Sequence, residues 1–318
     1  MVRLMTSLAL ALLTSVGVQA QTYPSRSAAV IVPFSPGGPT DAIGRIVADI
    51  FTRHLGQQFI VNNIGGAGGT TGALRAARAR ADGYTLVVGH LGTHAAAPSL
   101  YPNLGYDPVK DFEPVGLIAE QPLLLTVRKD FPASSLKEFA TYAKANVSKI
   151  NMGHAGIGSV SYIGCVLLNS VIGIRPIMVP FSGTAPVMKG ILAGTVDYDC
   201  DAVLGPLPHV LAGNAKALAI ATRKRSPLLP NVPTSFEQGM PEFDCAPFYA
   251  VFAPKGTSRE IIDKLASALN KGLDDPAVLA GLGANIAEPV RRGPGPLAQL
   301  VRNEMARLTP ILNAASAK

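Results

Sequence analysis

Groups able to hold an anion are concentrated in this sequence where apolar runs end in glycine, proline and small hydroxyl residues. Residues 30–32 are β-branched and apolar, Pro33 cannot donate into a sheet ladder, and Phe34-Ser35-Pro36-Gly37-Gly38-Pro39-Thr40-Asp41 follows. Thr40 or Asp41 is placed to cap a helix whose apolar positions Ile43, Ile46, Val47 and Ile50 share one face. A glycine turn running into a helix start leaves backbone N–H groups beside the positive end of the helix dipole, which suits a carboxylate or a phosphate. The same residues also make a plain tight connection. An echo in the second half of the chain favours the anion reading: Val179-Pro180-Phe181-Ser182-Gly183-Thr184 repeats the Val-Pro-Phe-Ser ending and again meets a glycine and a helix start. Two such ends, each with an aromatic, suggest two walls of one cleft.

Three further loops join them. Gly65-Gly66-Ala67-Gly68-Gly69 precedes a helix, but its glycine spacing is only loosely that of a dinucleotide fingerprint, and no acidic residue ends the following strand. Gly89-His90-Leu91-Gly92-Thr93-His94 leaves an apolar strand; His90 and His94 sit in a glycine-containing loop and need not share a face, so a zinc pair has little support. Met152-Gly153-His154-Ala155-Gly156-Ile157-Gly158-Ser159, with Ser161, is another glycine loop at a helix start, where a second carboxylate can dock or the serines simply cap the helix. Asp201 ends a strand; a carboxylate would repel an anionic ligand, so it is expected to accept backbone N–H bonds and orient a loop, or to meet an ammonium group. Asp197 and Asp199 read as surface charges, and Phe248 as cleft wall or hinge core.

These residues exclude several chemistries. Around Ser159 a nucleophile elbow would need glycines where Ile157 and Ser161 stand, and His154 has no evident orienting acid. Cys165, Cys200 and Cys245 have no Cys-x-x-Cys spacing; they read as small buried apolar residues, with at most one bridge among them. No metal and no cofactor is expected. Lys and Arg outnumber Asp and Glu 28 to 21, for a formal charge of +7, but they are scattered and not interleaved with aromatics, which points to small anionic ligands or simple solubility and not to nucleic acid.

Residues 1–20 carry Arg3, an apolar run and a Val18-Gln19-Ala20 ending, the pattern of a cleaved secretory signal. The remaining chain, close to three hundred residues, is long enough for two domains. Strands and helices alternate nearly throughout: strands near 30–32, 58–61, 86–89, 114–119, 123–127, 150–153, 176–179, 195–200, 217–221 and 247–254. After the last of these only helices are read, over 258–272, 276–282 and 296–308, the final one stopped by Pro310. A helical tail needs a sheet to cover, and the first lobe is short of helices, so the chain is expected to return there. That gives an α/β fold of two lobes, residues 21–124 with 250–318 and residues 125–249, joined by a two-strand hinge and separated by a cleft that closes on a ligand.

The motifs carry a family resemblance. Tyr23-Pro24-Ser25, Val32-Pro33-Phe34-x-Pro36-Gly37-Gly38-x-Thr40-Asp41, Gly66-Ala67-Gly68-Gly69, Asp82-Gly83-Tyr84-Thr85-Leu86, Tyr106-Asp107-Pro108-x-Lys110-Asp111-Phe112 and Arg225-Ser226-Pro227-Leu228-Leu229-Pro230-Asn231-Val232-Pro233-Thr234 resemble the Bug family over essentially the whole chain beyond the leader. These are periplasmic solute receptors of tripartite tricarboxylate transporters. The resemblance implies a type II periplasmic binding-protein fold and capture of a small mono- or dicarboxylate by a monomer. It also implies delivery to one large and one small integral membrane subunit, driven by an ion gradient. One ligand carboxylate would be held by residues 35–41 and 65–69, through Gly37, Gly38, Ala67 and Gly68 amides with help from Thr40 and in part through ordered waters. Pro39 departs from the usual glycine and removes one donor. The opposite lobe would set specificity, with His154, Gly158, Ser159, Ser161, Phe181, Ser182, Thr184 and Asp201 as candidates. Phe34, Ser35, Asp41, His90 and Thr93 complete the candidate site. Two other roles stand beside transport: a ligand-loaded receptor signalling to a sensor kinase, and a hydrolytic enzyme on an α/β scaffold.

Overall fold

The computed structural model describes residues 23–284 and 287–316; the expected leader lies outside the described residues. The first sheet has six strands, in the order β11-β4-β10-β3-β1-β2: β1 (Ala28–Val32), β2 (Phe59–Asn63), β3 (Thr85–His90), β4 (Phe112–Glu120), β10 (Phe248–Pro254) and β11 (Glu288–Arg292). β1, β2 and β3 are parallel. They are linked through α1 (Pro39–Leu55) and α2 (Thr70–Ala77), so their C-terminal ends lie along one edge, as parallel βαβ units require. β10 returns antiparallel between β3 and β4. Val30, Val32, Leu86 and Val88 are fully buried, with Ile43, Val47 and Ile50 of α1 packed in the same cluster, so the apolar face read from the sequence is the one that meets the sheet.

The second sheet has five strands, in the order β7-β6-β8-β5-β9: β5 (Leu123–Arg128), β6 (Asn151–His154), β7 (Ile177–Pro180), β8 (Tyr198–Ala202) and β9 (Ala215–Ile220). Its helices are α4 (Leu136–Ala145), α5 (Val160–Ile172), α6 (Thr184–Leu192) and α7 (Leu207–Leu211). The chain crosses between the sheets at residues 121–122 and 246–247, where Gln121 N–H donates to the Pro247 carbonyl at 3.0 Å and Leu123 N–H to that of Cys245 at 3.3 Å. Four further helices are α3 (Ala97–Leu100), α8 (Arg259–Gly272), α9 (Pro276–Ala284) and α10 (Pro294–Ser316). α10 packs on β4 of the first sheet and reaches α5 of the second lobe, where Arg175 donates to the Ala314 carbonyl at 2.9 Å.

Four local expectations change. β11 adds an edge strand where only helices were read; its Glu-Pro-Val-Arg-Arg sequence has exposed ends and no apolar alternation, and pairing with β4 supplies what periodicity does not. α10 runs through Pro310 to Ser316. Buried Leu308 and Leu312, with Ile311 and Ala315 against the core, hold the helix together despite a proline cost of about 3 kcal/mol. The Gly89–His94 loop becomes a wide helical turn over Gly92–Ala96 leading into α3. Asp199 is not a surface charge: β8 is a central strand whose five residues are all buried, so neither face of its alternation reaches water. Asp197 is partly buried, pairs with Arg128 at 2.8 Å and accepts the Asn151 N–H at 2.8 Å.

Candidate functional site

Three helix starts converge between the lobes. At α1 the N-cap is Gly38, in an extended conformation with no side-chain cap, and Pro39 takes the first helical position. Asp41 therefore does not cap the helix; it reaches backwards. Its Oδ2 accepts the Gly37 N–H and Arg45 Nε–H, both at 3.0 Å, and its Oδ1 accepts Asn63 Nδ2 at 2.9 Å. The same Asn63 amide donates to the Phe34 carbonyl at 3.0 Å. Burial opposes ionisation of Asp41, but the bonds from Gly37, Asn63 and Arg45 outweigh it and hold its pKa below the ordinary value. The loop is thus pinned, and the Gly37 amide is spent on it. Among the described residues the Gly38, Thr40 and Asp41 amides have no hydrogen-bond partner.

In the second lobe Ser159 caps α5, its Oγ accepting the Tyr162 N–H at 3.2 Å, and Ser161 Oγ accepts the Ala155 N–H at 3.0 Å. The two hydroxyls are 3.2 Å apart. Gly183 is the N-cap of α6, again without a side-chain cap. Thr184 donates its hydroxyl to Asp201 Oδ2 at 2.7 Å, and Asp201 Oδ1 accepts the Ala202 N–H at 2.8 Å, so this carboxylate orients the α6 start and its own strand end. Burial raises the Asp201 pKa. Asp199, two residues earlier on the same face of β8, is fully buried with neither oxygen partnered among the described residues; burial first, then Asp201, raises its pKa well above the ordinary value.

These starts open on a cavity of about 630 Å³. The first lobe contributes Phe34 to Thr40, His90 and Tyr249; the second contributes Ala155, Ser159 to Ser161, Ser182 to Pro186, Met188, Lys189, Asp201, Leu204, Gly205 and His209. Its size is that of a small-molecule site. The His90 ring stacks on Phe34 with centroids 4.9 Å apart and meets Tyr249 edge-on at 6.1 Å, giving one wall an aromatic surface. Each helix start carries roughly half a positive charge, so three of them favour an anion without any buried lysine or arginine.

Phe34, Ser35, Gly37, Gly38, Thr40, His90, Ser159, Ser161, Ser182, Thr184 and Asp201 line this cavity. Asp41 lies behind it. Ala67 and Gly68 stand at the junction of the lobes, where Tyr101 Oη donates to the Ile157 carbonyl at 2.7 Å and a Cβ on Gly68 would lie 2.0 Å from that oxygen. Gly158 is packed at the same junction, near Tyr101 and Gly68. Thr93 is buried beneath His90 and accepts its backbone N–H at 3.1 Å. His154 is buried edge-on to Tyr162, and Phe181 packs against α6 beside Gly190. Sequence reasoning did not select Met188, Lys189, Leu204, His209 or Tyr249. Lys189 was legible in principle, lying four residues after Ala185 on nearly the same helical face; Tyr249 sits in an apolar strand and reads as core.

Neither Ser159 nor Ser161 has a histidine on its hydroxyl among the described residues, and no group of three metal-ligating side chains occurs among them. The three cysteines are free and buried. A family model described as "Tripartite tricarboxylate transporter family receptor" matches residues 43–316. The chain belongs to that receptor family. Its members are receptors and not enzymes. MatC from Rhodopseudomonas palustris, solved with bound malate, is 44% identical with a TM-score of 0.86, over 91% of this chain and 100% of that one. The periplasmic binding protein BugD is 37% identical with a TM-score of 0.86, over 93% and 99% of the two chains. Protein BugT of Bordetella pertussis is 34% identical over 95% of this chain and 93% of its own. This TctC-type receptor thus keeps the family's two-lobed α/β architecture along nearly its whole length.

Proposed function

We propose that this receptor captures a small mono- or dicarboxylate in the cavity between its lobes and delivers it to the large and small membrane subunits of a tripartite transporter. The observation that carries the reading is the convergence of the α1, α5 and α6 starts on one cavity, with unpaired amides at Gly38, Thr40 and Asp41 on one side and the Ser159–Ser161 turn on the other. MatC's bound malate supports it. One carboxylate meets the α1 start with Ser35 and Thr40; the far end meets Ser159, Ser161, Ser182 and Thr184. Each charge-assisted bond contributes about 1.5–3 kcal/mol, and a few of them reach the ~8 kcal/mol of micromolar binding after ordering costs. Ala67, Gly68 and Gly158 act by fitting the lobes together on closure. Residues 1–20 are removed as a secretory signal, and the mature receptor works as a monomer in the periplasm.

Isothermal titration with malate, succinate and butyrate tests this, beside a thermal-shift series on the same acids. Stabilisation by at least one acid, at one site per chain and with the acid unchanged by proton NMR, is the expected result. No heat and no stabilisation from any of them would remove the reading.

A further inference from the structure

One buried side-chain nitrogen of a cavity-lining residue has no hydrogen-bond partner among the described residues. His90 closes β3, and its backbone N–H is taken by Thr93 Oγ1 at 3.1 Å. The Gly92 N–H, from the turn that follows, donates to the ring's Nδ1 at 2.7 Å. An imidazole that accepts at Nδ1 carries its proton on Nε2, so the tautomer is fixed by the backbone. The ring is held by Phe34 and Tyr249, is 0% exposed and lines the cavity, yet its Nε2 has no partner among the described residues. Burial lowers its pKa to about 3, so the ring is neutral at physiological pH.

A buried donor with no acceptor weakens the free protein and is relieved by any ligand that brings an oxygen to it. We propose that His90 is the residue by which this receptor selects acids carrying a second oxygen acceptor, dicarboxylates and 2-hydroxy or 2-oxo acids, over plain aliphatic monocarboxylates. The selection rests on the carboxylate-receptor reading above and adds to it a direction: the first carboxylate lies on the α1 amides, and the second oxygen points back at the aromatic wall of the first lobe. A neutral donor suits this task better than a cation. It discriminates by geometry and leaves the ligand's charge to the helix starts.

The decisive variant is His90→Phe, which keeps the stacked ring and removes both the Nε2 donor and the Nδ1 acceptor of the Gly92 N–H. Malate and succinate should bind it about tenfold more weakly than wild type, butyrate equally well, and His90→Gln should recover part of the loss. Ligand-free His90→Phe should lose some thermal stability, since the Gly92 N–H gives up its Nδ1 acceptor, and this loss should be the same whichever acid is then added. A purely structural histidine would weaken all three acids alike, and that pattern overturns the assignment. In the wild-type protein, long-range ¹H–¹⁵N spectra should show the Nε2–H tautomer and a downfield shift of that proton on saturation with malate. An unmoved proton at saturation overturns the assignment even if His90→Phe fails to fold. Binding of butyrate with no preference for succinate would overturn the selection and leave the receptor reading standing; no binding of any acid would remove both.

Discussion

Replacing Gly68 by alanine should prop the lobes apart. A Cβ built there lies 2.0 Å from the Ile157 carbonyl oxygen and 2.7 Å from Tyr101 Oη, both inside the 3.0 Å that real Cβ contacts observe. The loop carrying Ile157 belongs to the second lobe, so it must retreat by at least about 1 Å, and with it goes the 2.7 Å Tyr101–Ile157 hydrogen bond that ties the lobes together. Losing that bond costs the closed state about 1 kcal/mol and relieving the overlap about 1–3 more. The left-handed backbone at Gly68, φ 62°, adds about 1–2 kcal/mol of strain. That strain is present whether the lobes are open or closed, so it lowers stability without changing affinity. Binding that depends on closure should therefore weaken by roughly 30-fold to several hundred-fold. Calorimetry with the best-binding acid reads the affinity, and small-angle scattering at saturating ligand should give a larger radius of gyration than wild type. Tyr101→Phe, which removes only the hydrogen bond, should weaken binding about fivefold. A folded Gly68→Ala protein with wild-type affinity and a wild-type scattering curve would refute the idea that this junction reports closure.

Asp41→Ala removes the acceptor of three hydrogen bonds from a buried position and should cost about 2–4 kcal/mol, lowering the thermal midpoint by roughly 5–10 °C and weakening the acid as the α1 loop loosens. Lys189→Met takes an exposed cation from the cavity wall; dicarboxylate binding should weaken about two- to fivefold at low salt, the difference should vanish in 0.5 M NaCl, and the midpoint should hardly move. Acid should destabilise the fold through His90 and His94, each lowered by burial to about 3. Their folded values lie below the unfolded value of about 6.5, so their stabilisation is complete above that pH and is lost as the pH falls towards 3. Asp199 and Asp201, raised by burial, act in the opposite sense, contributing most at low pH and losing it as the pH rises. His94→Phe, a ring for a ring between Phe112 and Phe252, should reduce the pH dependence of urea unfolding by about one proton, ~1.4 kcal/mol per pH unit between about pH 4 and 6.

Much of the architecture was written locally. Periodicity in α1 and β-branched runs ending in Pro-Phe-Ser gave the alternation of strands and helices, and the start of α4 is local too, Ser135 Oγ accepting the Glu138 N–H at 3.2 Å. Because parallel βαβ units can only wind one way, that alternation implied loops gathered along one sheet edge. The glycine turns and helix starts at 37–40, 158–161 and 182–184 were legible for the same reason. β11 and the proline-bearing end of α10 were not: each exists because a neighbouring element supplies the bonds or the buried surface, and no window of sequence contains that neighbour.

The sequence by itself determined which backbone segments carry free N–H groups, since glycine, proline and cap residues act within a few positions of themselves. Tertiary structure decided which of those groups remain available. Asp41 takes the Gly37 amide, Tyr101 and Ile157 turn the Gly68 loop into a contact between lobes, and the Gly92 N–H takes His90 Nδ1 while Nε2 keeps no partner among the described residues. Hydrogen-bond partners and burial are set by residues distant in the chain, so what a group can offer a ligand is known only once the fold has claimed its share.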